Sequence, residues 1–267
     1  MPTGSPARRT LNVVELAFKR LAVLVPRNGV LLLGSDSPRA AALAAHAASP
    51  VETFGVEGDP TWKATDLAVG PGGTRFKVHK HGTLFGTFEV PLLGAHNVRN
   101  ALAGIAVCAT LGIDSRAIAE GLKSFAGVKR RLELRGSVDG IEVYDDFAHH
   151  PTAIATTLAG LRAKVGGARV VVAMEPRSNS MRLGAHADAL APSLGDADIV
   201  VFLQRPELAW DAGKVIAGLR GEGVGAPDAD ALIAALQQRV RAGDHVVFMS
   251  NGGFDGAPRR FLATLPR

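Results

Sequence analysis

The chain has 267 residues, 47% hydrophobic and 21% charged, the balance of a folded globular protein rather than a disordered one. Its net charge is +5, yet the Lys and Arg are dispersed and few aromatics lie among them, which argues against nucleic-acid binding. The single cysteine, Cys108, excludes an internal disulfide and a Cys-rich zinc site, no apolar run reaches the ~18 residues of a membrane span, and no signal-peptide core follows Met1–Arg9, so a cytoplasmic protein with no membrane partner is expected.

Leu11, Val14, Phe18, Leu21 and Val25 recur every three or four residues and predict a helix over 11–25. Val30–Leu33 suits a short buried strand. Ser37-Pro38 then opens an alanine-rich helix to about Ala47, with proline in its first turn. Asp66–Val69, Thr74–His79 and Thr83–Val90 are strand candidates. The turns Gly70-Pro-Gly-Gly73 and His81-Gly82 separate them, so they predict a small antiparallel meander. Helices follow over 98–111 and 115–125, the second capped by Asp114 or Ser115.

From Gly140 the pattern is regular. Strands Ile141–Tyr144, Arg169–Met174, Ile199–Leu203 and His245–Met249 alternate with helices over 152–165, up to Leu194, 209–219, 230–241 and 258–265. Short apolar strands between amphipathic helices imply a parallel sheet covered on both faces. The expected class is α/β: a partial central domain over 1–135, then a Rossmann-like domain over 136–267 with a mostly parallel sheet.

Ligands bind such sheets at the carboxyl ends of strands, which singles out the residues after Tyr144, Met174, Leu203 and Met249. After Tyr144 stand Asp145-Asp146-Phe-Ala-His149-His150-Pro151. Carboxylates here suit a ribose hydroxyl or a Mg²⁺ shell, and imidazoles suit a phosphate or the orientation of a nucleophile; helix capping is the alternative. Glu175-Pro-Arg177-Ser178-Asn179-Ser-Met-Arg182 offers guanidinium groups that pair bidentately with carboxylates. In Ser250-Asn251-Gly-Gly-Phe254 the glycines admit close backbone approach to a ligand, or simply turn. Further upstream, Gly94-Ala-His96-Asn97-Val-Arg-Asn100 precedes an apolar helix, with His96 and Asn100 on one helix face. An amide there suits an adenine edge or a phosphate oxygen, or caps the helix. Lys129-Arg130-Arg131, at the expected boundary, suits a phosphoryl clamp or a charged hinge. No Gly-x-Ser-x-Gly elbow occurs, and His149-His150 lack a third metal ligand, so no metal site of protein side chains is expected.

In this order, Gly94–Asn100, Arg130-Arg131 and Asp145–Pro151 resemble the middle and C-terminal domains of the Mur ligase family, and the likeness runs from about Val13 to Phe261. With Arg131–Gly136, Glu175–Met181 and Met249–Phe254 it points to the branch that joins UDP-N-acetylmuramate to the tripeptide L-alanyl-γ-D-glutamyl-meso-diaminopimelate in peptidoglycan recycling. A sister branch adds L-alanine to the same carboxylate, and there the counterpart of Glu175–Asn179 would read Gln-Pro-His-Arg-Tyr-Ser. The resemblance implies ATP and Mg²⁺, an acyl-phosphate formed on the muramyl carboxylate, and attack by the peptide amine. It implies that His96, Asn97 and Asn100 line the adenine side and that Arg131 and Asp146 reach the nucleotide. His149 would lie near the phosphates and the sugar nucleotide, with Arg131 and His149 catalytic. Arg177, Ser178, Asn179, Arg182 and Asn251 would receive the peptide.

One part of the family pattern is missing. No Gly-x-x-x-x-Gly-Lys-Ser/Thr occurs, Gly213-Lys214 being followed by Val215, and nothing matches the domain that would hold the UDP moiety. The expectation is part of a ligase, inactive alone. The main Mg²⁺ and phosphate ligands would belong to an upstream part, with a separate chain as one way of supplying it. A non-catalytic module that binds nucleotide or muropeptide is the alternative from another class, and a fragment of the L-alanine-adding branch is the alternative within the family.

Overall fold

The computed structural model describes residues 6–70 and 72–266, with side chains from residue 12 onward. The side chain of Leu11, the turn residue Pro71 and the segment Met1–Ser5 lie outside the described residues. The chain divides into two compact units, residues 1–125 and 126–267.

The first unit opens with the helix Pro6–Val23. Its sheet has five strands in chain order: β1 (Leu31–Gly34), β2 (Val51–Gly55), β3 (Trp62–Gly70), β4 (Gly73–Lys80) and β5 (Thr83–Val90). The first three run parallel and the last three form the expected antiparallel meander. Ser37 caps a short helix at Pro38–Ala41 by accepting from the Ala40 N–H, and a 3₁₀ segment at Ala42–His46 continues it. The helices Ala95–Thr110 and Ser115–Lys123 cover one face of the sheet. Val98, Leu102 and Ile105 pack there on Trp62, Phe76, Val78 and Phe88. Asp114 caps the second helix by accepting from the Arg116 and Ala117 N–H groups.

The second unit has a six-stranded sheet: β6 (Glu133–Val138), β7 (Ile141–Asp146), β8 (Val170–Met174), β9 (Ile199–Leu203), β10 (Glu222–Ala226) and β11 (His245–Met249), in the spatial order β10-β9-β8-β11-β7-β6. All neighbours are parallel except the β6–β7 pair. Every residue of β8 and β9 is buried, as expected where both faces are covered. One face packs on the helices Pro151–Val165, Ala187–Ser193 and Ala212–Ala217, and the other on Ala229–Gln237 and Ala257–Thr264.

Two strands of this second sheet escape the sequence pattern. β6 alternates polar side chains and forms an edge, so no apolar run marks it. Because β6 pairs with β7, the expected boundary at 135/136 falls inside a strand of the second unit. β10, Glu-Gly-Val-Gly-Ala, reads as a turn. Its glycines serve contact instead: a Cβ on Gly223 would sit 2.7 Å from the Ile216 side chain.

Candidate functional site

The connection after β11 leaves toward one face of the second sheet, while those after its neighbours β7 and β8 leave toward the other. Crevices therefore open on both sides of the β11 tip, where open α/β sheets bind ligands. The residues that fill them are Asp146, Glu175 and Ser250, each at most 3% exposed.

On the β7 side lies a turn of unusual backbone. Arg130 and Leu132 have φ of 58° and 50°, a left-handed conformation that costs ordinary side chains energy. Hydrogen bonds hold it. The Leu132 N–H donates to Asp146 Oδ2 at 2.6 Å, the Arg130 N–H to Glu133 Oε2 at 2.8 Å, and the Phe147 N–H to the Arg130 carbonyl at 2.8 Å. Arg131, between the two left-handed residues, stands exposed and makes no ion pair with the described residues; its guanidinium lies over Phe147 at 5.5 Å. Arg130 lies over the same ring at 5.2 Å and donates to the Ser250 carbonyl. The His149 ring meets the edge of Phe147, its Nδ1 lying 3.0 Å from the Phe147 carbonyl oxygen. That contact puts the proton on Nδ1 and leaves Nε2 as an acceptor.

Asp146 is buried inside this turn. Oδ2 takes the Leu132 N–H and Oδ1 takes the Ala148 N–H at 2.7 Å. Burial raises its carboxyl above the ordinary carboxylate range, although both backbone donors oppose the shift. In this arrangement Asp146 shapes the turn that presents Arg131. His150 is the cap of the helix Pro151–Val165, accepting from the Thr152 N–H. Burial first, and then the nearby His186 and His149, lower its pKa.

At the tips of β8 and β9 a cleft of about 450 Å³ is bordered by Glu175, Arg177, Asn179, Arg182, Arg205 and Glu207, with Pro176, Leu203 and Leu208 also lining it. Arg205 Nε and Nη2 donate to Glu175 Oε1 at 3.0 and 2.8 Å, and Nη2 also reaches Asp255 at 2.8 Å. Arg182 donates to Asn179 Oδ1 at 2.9 Å. Arg177 lies across Gly252, where a Cβ would come within 2.1 Å of its Cδ, so only glycine leaves that path open. Ser178 does not border the cleft; its hydroxyl accepts from the Met181 N–H as a helix cap. Asn251 follows Ser250, and its Oδ1 is buried without a hydrogen-bond partner. An orphaned acceptor of that kind costs about 1–3 kcal/mol, and a donor on a ligand would relieve it.

In the first unit His96, Asn97 and Asn100 gather at the start of the helix Ala95–Thr110. Asn97 Nδ2 donates to the Leu93 carbonyl at 2.8 Å, and Asn100 Nδ2 stands 3.5 Å from Asn97 Oδ1. Arg99 pairs with Asp36, just beyond β1. The exposed amide of Asn100 keeps donor and acceptor capacity for a ligand.

The structure thus gathers Arg131, Asp146 and His149 into one cluster, and Arg177, Asn179 and Arg182 onto one cleft. Sequence reasoning named Arg130, Glu175 and Ser250 only as members of their runs, gave them no role of their own, and did not reach Glu207. Gln204-Arg205-Pro206 follows a strand and so was flagged by position, but nothing in its residue types marked it.

Residues 9–108 match the Mur ligase middle domain and residues 130–252 match the Mur ligase glutamate ligase domain. The chain belongs to the Mur ligase family. Over 96% of its length it is 38% identical to the UDP-N-acetylmuramate–L-alanyl-γ-D-glutamyl-meso-2,6-diaminoheptandioate ligase of Escherichia coli K12, of which it covers 56%. Over 91% it is 35% identical to the UDP-N-acetylmuramate–L-alanine ligase of Acidothermus cellulolyticus, of which it covers 53%. The crystal structure of a murein peptide ligase from Psychrobacter arcticus superimposes with a TM-score of 0.67 at 33% identity, over 95% of this chain and 54% of that one. The chain spans about half the length of the relatives it matches. The α/β architecture, a mixed five-stranded sheet and a mostly parallel six-stranded one, is that of the Mur ligase middle and C-terminal domains. Its relatives are ATP-dependent ligases. No helix among the described residues is long and apolar enough to cross a membrane.

Proposed function

We propose that this chain is the ATP-clamping and peptide-receiving part of a ligase that joins UDP-N-acetylmuramate to L-alanyl-γ-D-glutamyl-meso-diaminopimelate. The observation that carries the reading is the cleft at the β8 tip. Among the described residues Arg177 and Arg182 border it without carboxylate partners closer than 3.8 Å, and such guanidinium groups pair well with the carboxylates of an acidic peptide. Part of its lining comes from Glu175–Asn179, the run in which the L-alanine-adding branch would differ, and Arg182, Arg205 and Glu207 complete it. The identity to the tripeptide-adding relative supports the same choice.

ATP is read as a substrate. Arg131, exposed and in no ion pair with the described residues, is the group to meet a transferred phosphoryl, where fixed positive charge stabilises developing negative charge. His149 Nε2 is an acceptor for a proton or for the sugar-nucleotide substrate, and His96, Asn97 and Asn100 are assigned to the adenine side. Asn251 Oδ1 is assigned to the incoming peptide. For Mg²⁺ the described residues do not fit: no group of three or more His, Cys, Asp or Glu among them could hold a metal ion. The ion is therefore assigned to no residue of this chain, and phosphate-loop residues to an upstream part of the ligase, on this or a separate polypeptide.

Titration calorimetry tests the reading. The tripeptide should bind the chain and L-alanine should not. ADP release in the presence of ATP, UDP-N-acetylmuramate and tripeptide should require the upstream portion of the Escherichia coli relative. Preference for L-alanine would move the chain to the sister branch. Tight tripeptide binding with no complementation would leave a binding module, and turnover by the chain alone would remove the need for an upstream part.

A further inference from the structure

The turn at the β7 tip and the cleft at the tips of β8 and β9 are wired together through one residue. Ser250 is 1% exposed, and each of its polar groups is engaged. Its N–H donates to the Asp146 carbonyl at 3.1 Å, and its carbonyl accepts from Arg130. Its hydroxyl donates to Glu175 Oε2 at 2.5 Å and accepts from the Gly252 N–H at 2.9 Å. Glu175 in turn is fully buried and holds Arg205 on its other oxygen, with Arg177 Nη1 3.8 Å from that same atom. A continuous polar path therefore runs from the Arg130–Phe147 turn, through Ser250 and Glu175, to the arginines of the cleft. A buried carboxylate surrounded by donors has little freedom to reorient, because any bond it gives up leaves a charged group unsatisfied.

We propose that Glu175 and Ser250 are positioning residues that set the arginine turn and the peptide cleft in one register, so that disturbing one arm displaces the other. This deepens the reading of the cleft as a peptide site and rests on it for its functional consequence only. Neither residue touches substrate in the proposal. Glu175 acts through Arg205 and Arg177, and Ser250 acts through Arg130. The path suits a reaction in which a phosphoryl clamp and an amine donor must be aligned together, where small misplacement is costly.

The test uses the full chain with ¹⁵N-labelled arginine. Arg205 Nε–H donates to Glu175 and Arg130 Nε–H faces Asp145 at 3.4 Å, so both should give exchange-protected Nε–H signals, assigned with Arg205→Lys and Arg130→Lys. Glu175→Gln should deprotect Arg205 and shift the Arg130 signal as well. Ser250→Ala should shift Arg130 while Arg205 stays protected, and Glu175→Asp should restore part of both. In the same variants the Kd for the tripeptide should rise at least ten-fold in Glu175→Gln and recover partly in Glu175→Asp, at unchanged fold by circular dichroism. An Arg130 signal indifferent to Glu175→Gln overturns the coupling, whatever Ser250→Ala does to its immediate neighbour. Wild-type chain that binds no tripeptide instead overturns the peptide reading, and the arginine signals still decide the coupling. Should Glu175→Gln fail to fold, Glu175→Asp carries the decision: its shortened side chain should still shift the Arg130 signal, and an unchanged Arg130 signal overturns the coupling.

Discussion

The two units bury their sheets in different ways. In the second, both faces are covered: Tyr144, Val172 and Phe202 pack on one layer of helices, and Val143, Val171 and Phe248 on the other. In the first, one cluster lies under two helices, while the helix Pro6–Val23 and the residue that follows it leave Val13, Phe18, Leu21 and Leu24 at 50–76% exposure. A doubly covered parallel sheet completes its own core. A helix whose apolar side faces solvent contributes little to stability, and patches of this kind mark association surfaces.

The largest effect expected from this contrast is in the second unit. Phe248→Ala should destabilise it by about 3–5 kcal/mol, since truncating a buried Phe adds a cavity to the lost transfer energy. Leu21→Ser in the exposed helix should stay within about 0.5 kcal/mol. Denaturant titration of both variants checks the pair, and equal losses would erase the distinction. The exposed helix offers a second test: Phe18→Ser with Leu21→Ser should lower the binding of a hydrophobicity-sensitive dye and reduce self-association in sedimentation. Unchanged dye binding would mean the patch is covered in solution.

A smaller effect concerns the turn. Asp146→Ala strands the Leu132 and Ala148 N–H groups, and leaving a buried donor unpaired costs about 1–3 kcal/mol. Arg131 should then lose its fixed place, so ATP-analogue affinity should fall in the complemented ligase even where the fold survives. The smallest is a response to acid. Burial lowers the pKa of both His150 and His245. An imidazole whose folded pKa lies below its unfolded value contributes stability that is present above the unfolded value, near 6.5, and is lost as pH falls through the folded one. The second unit should therefore melt at a lower temperature at pH 5 than at pH 7. His245→Gln should reduce that difference; an identical pH dependence in the variant would exclude His245 as a source.

Much of this protein was legible in its residues. Short strand candidates between Gly-rich turns marked the meander at β3–β5, although β3 begins at Trp62, ahead of the expected Asp66; apolar runs marked β7, β8, β9 and β11, and Asp114 marked a helix start. β2 (Val51–Gly55) carried no clear signal, with four of its five residues only partly buried. The strand-end rule pointed to all four segments that meet at the second unit's carboxyl edge. Their order along the chain carried the family, which two domain matches then bore out.

The roles within those segments were decided by tertiary structure. Sequence alone offers Asp145 and Asp146 as equivalent carboxylates. Only the strand alternation of β7, with Asp146 at 3% exposure, turns one of them inward onto the Leu132 and Ala148 N–H groups. Likewise nothing in Gln204-Arg205-Pro206 announces a cleft arginine. It becomes one because β9 lies beside β8, which brings Arg205 onto Glu175 across 30 residues of chain. Local pattern is set by neighbours a few residues apart and can be read from them. Contacts such as Ser250 with Glu175, 75 residues apart, exist only once a parallel sheet has ordered its strands, because only that order decides which loop tips meet.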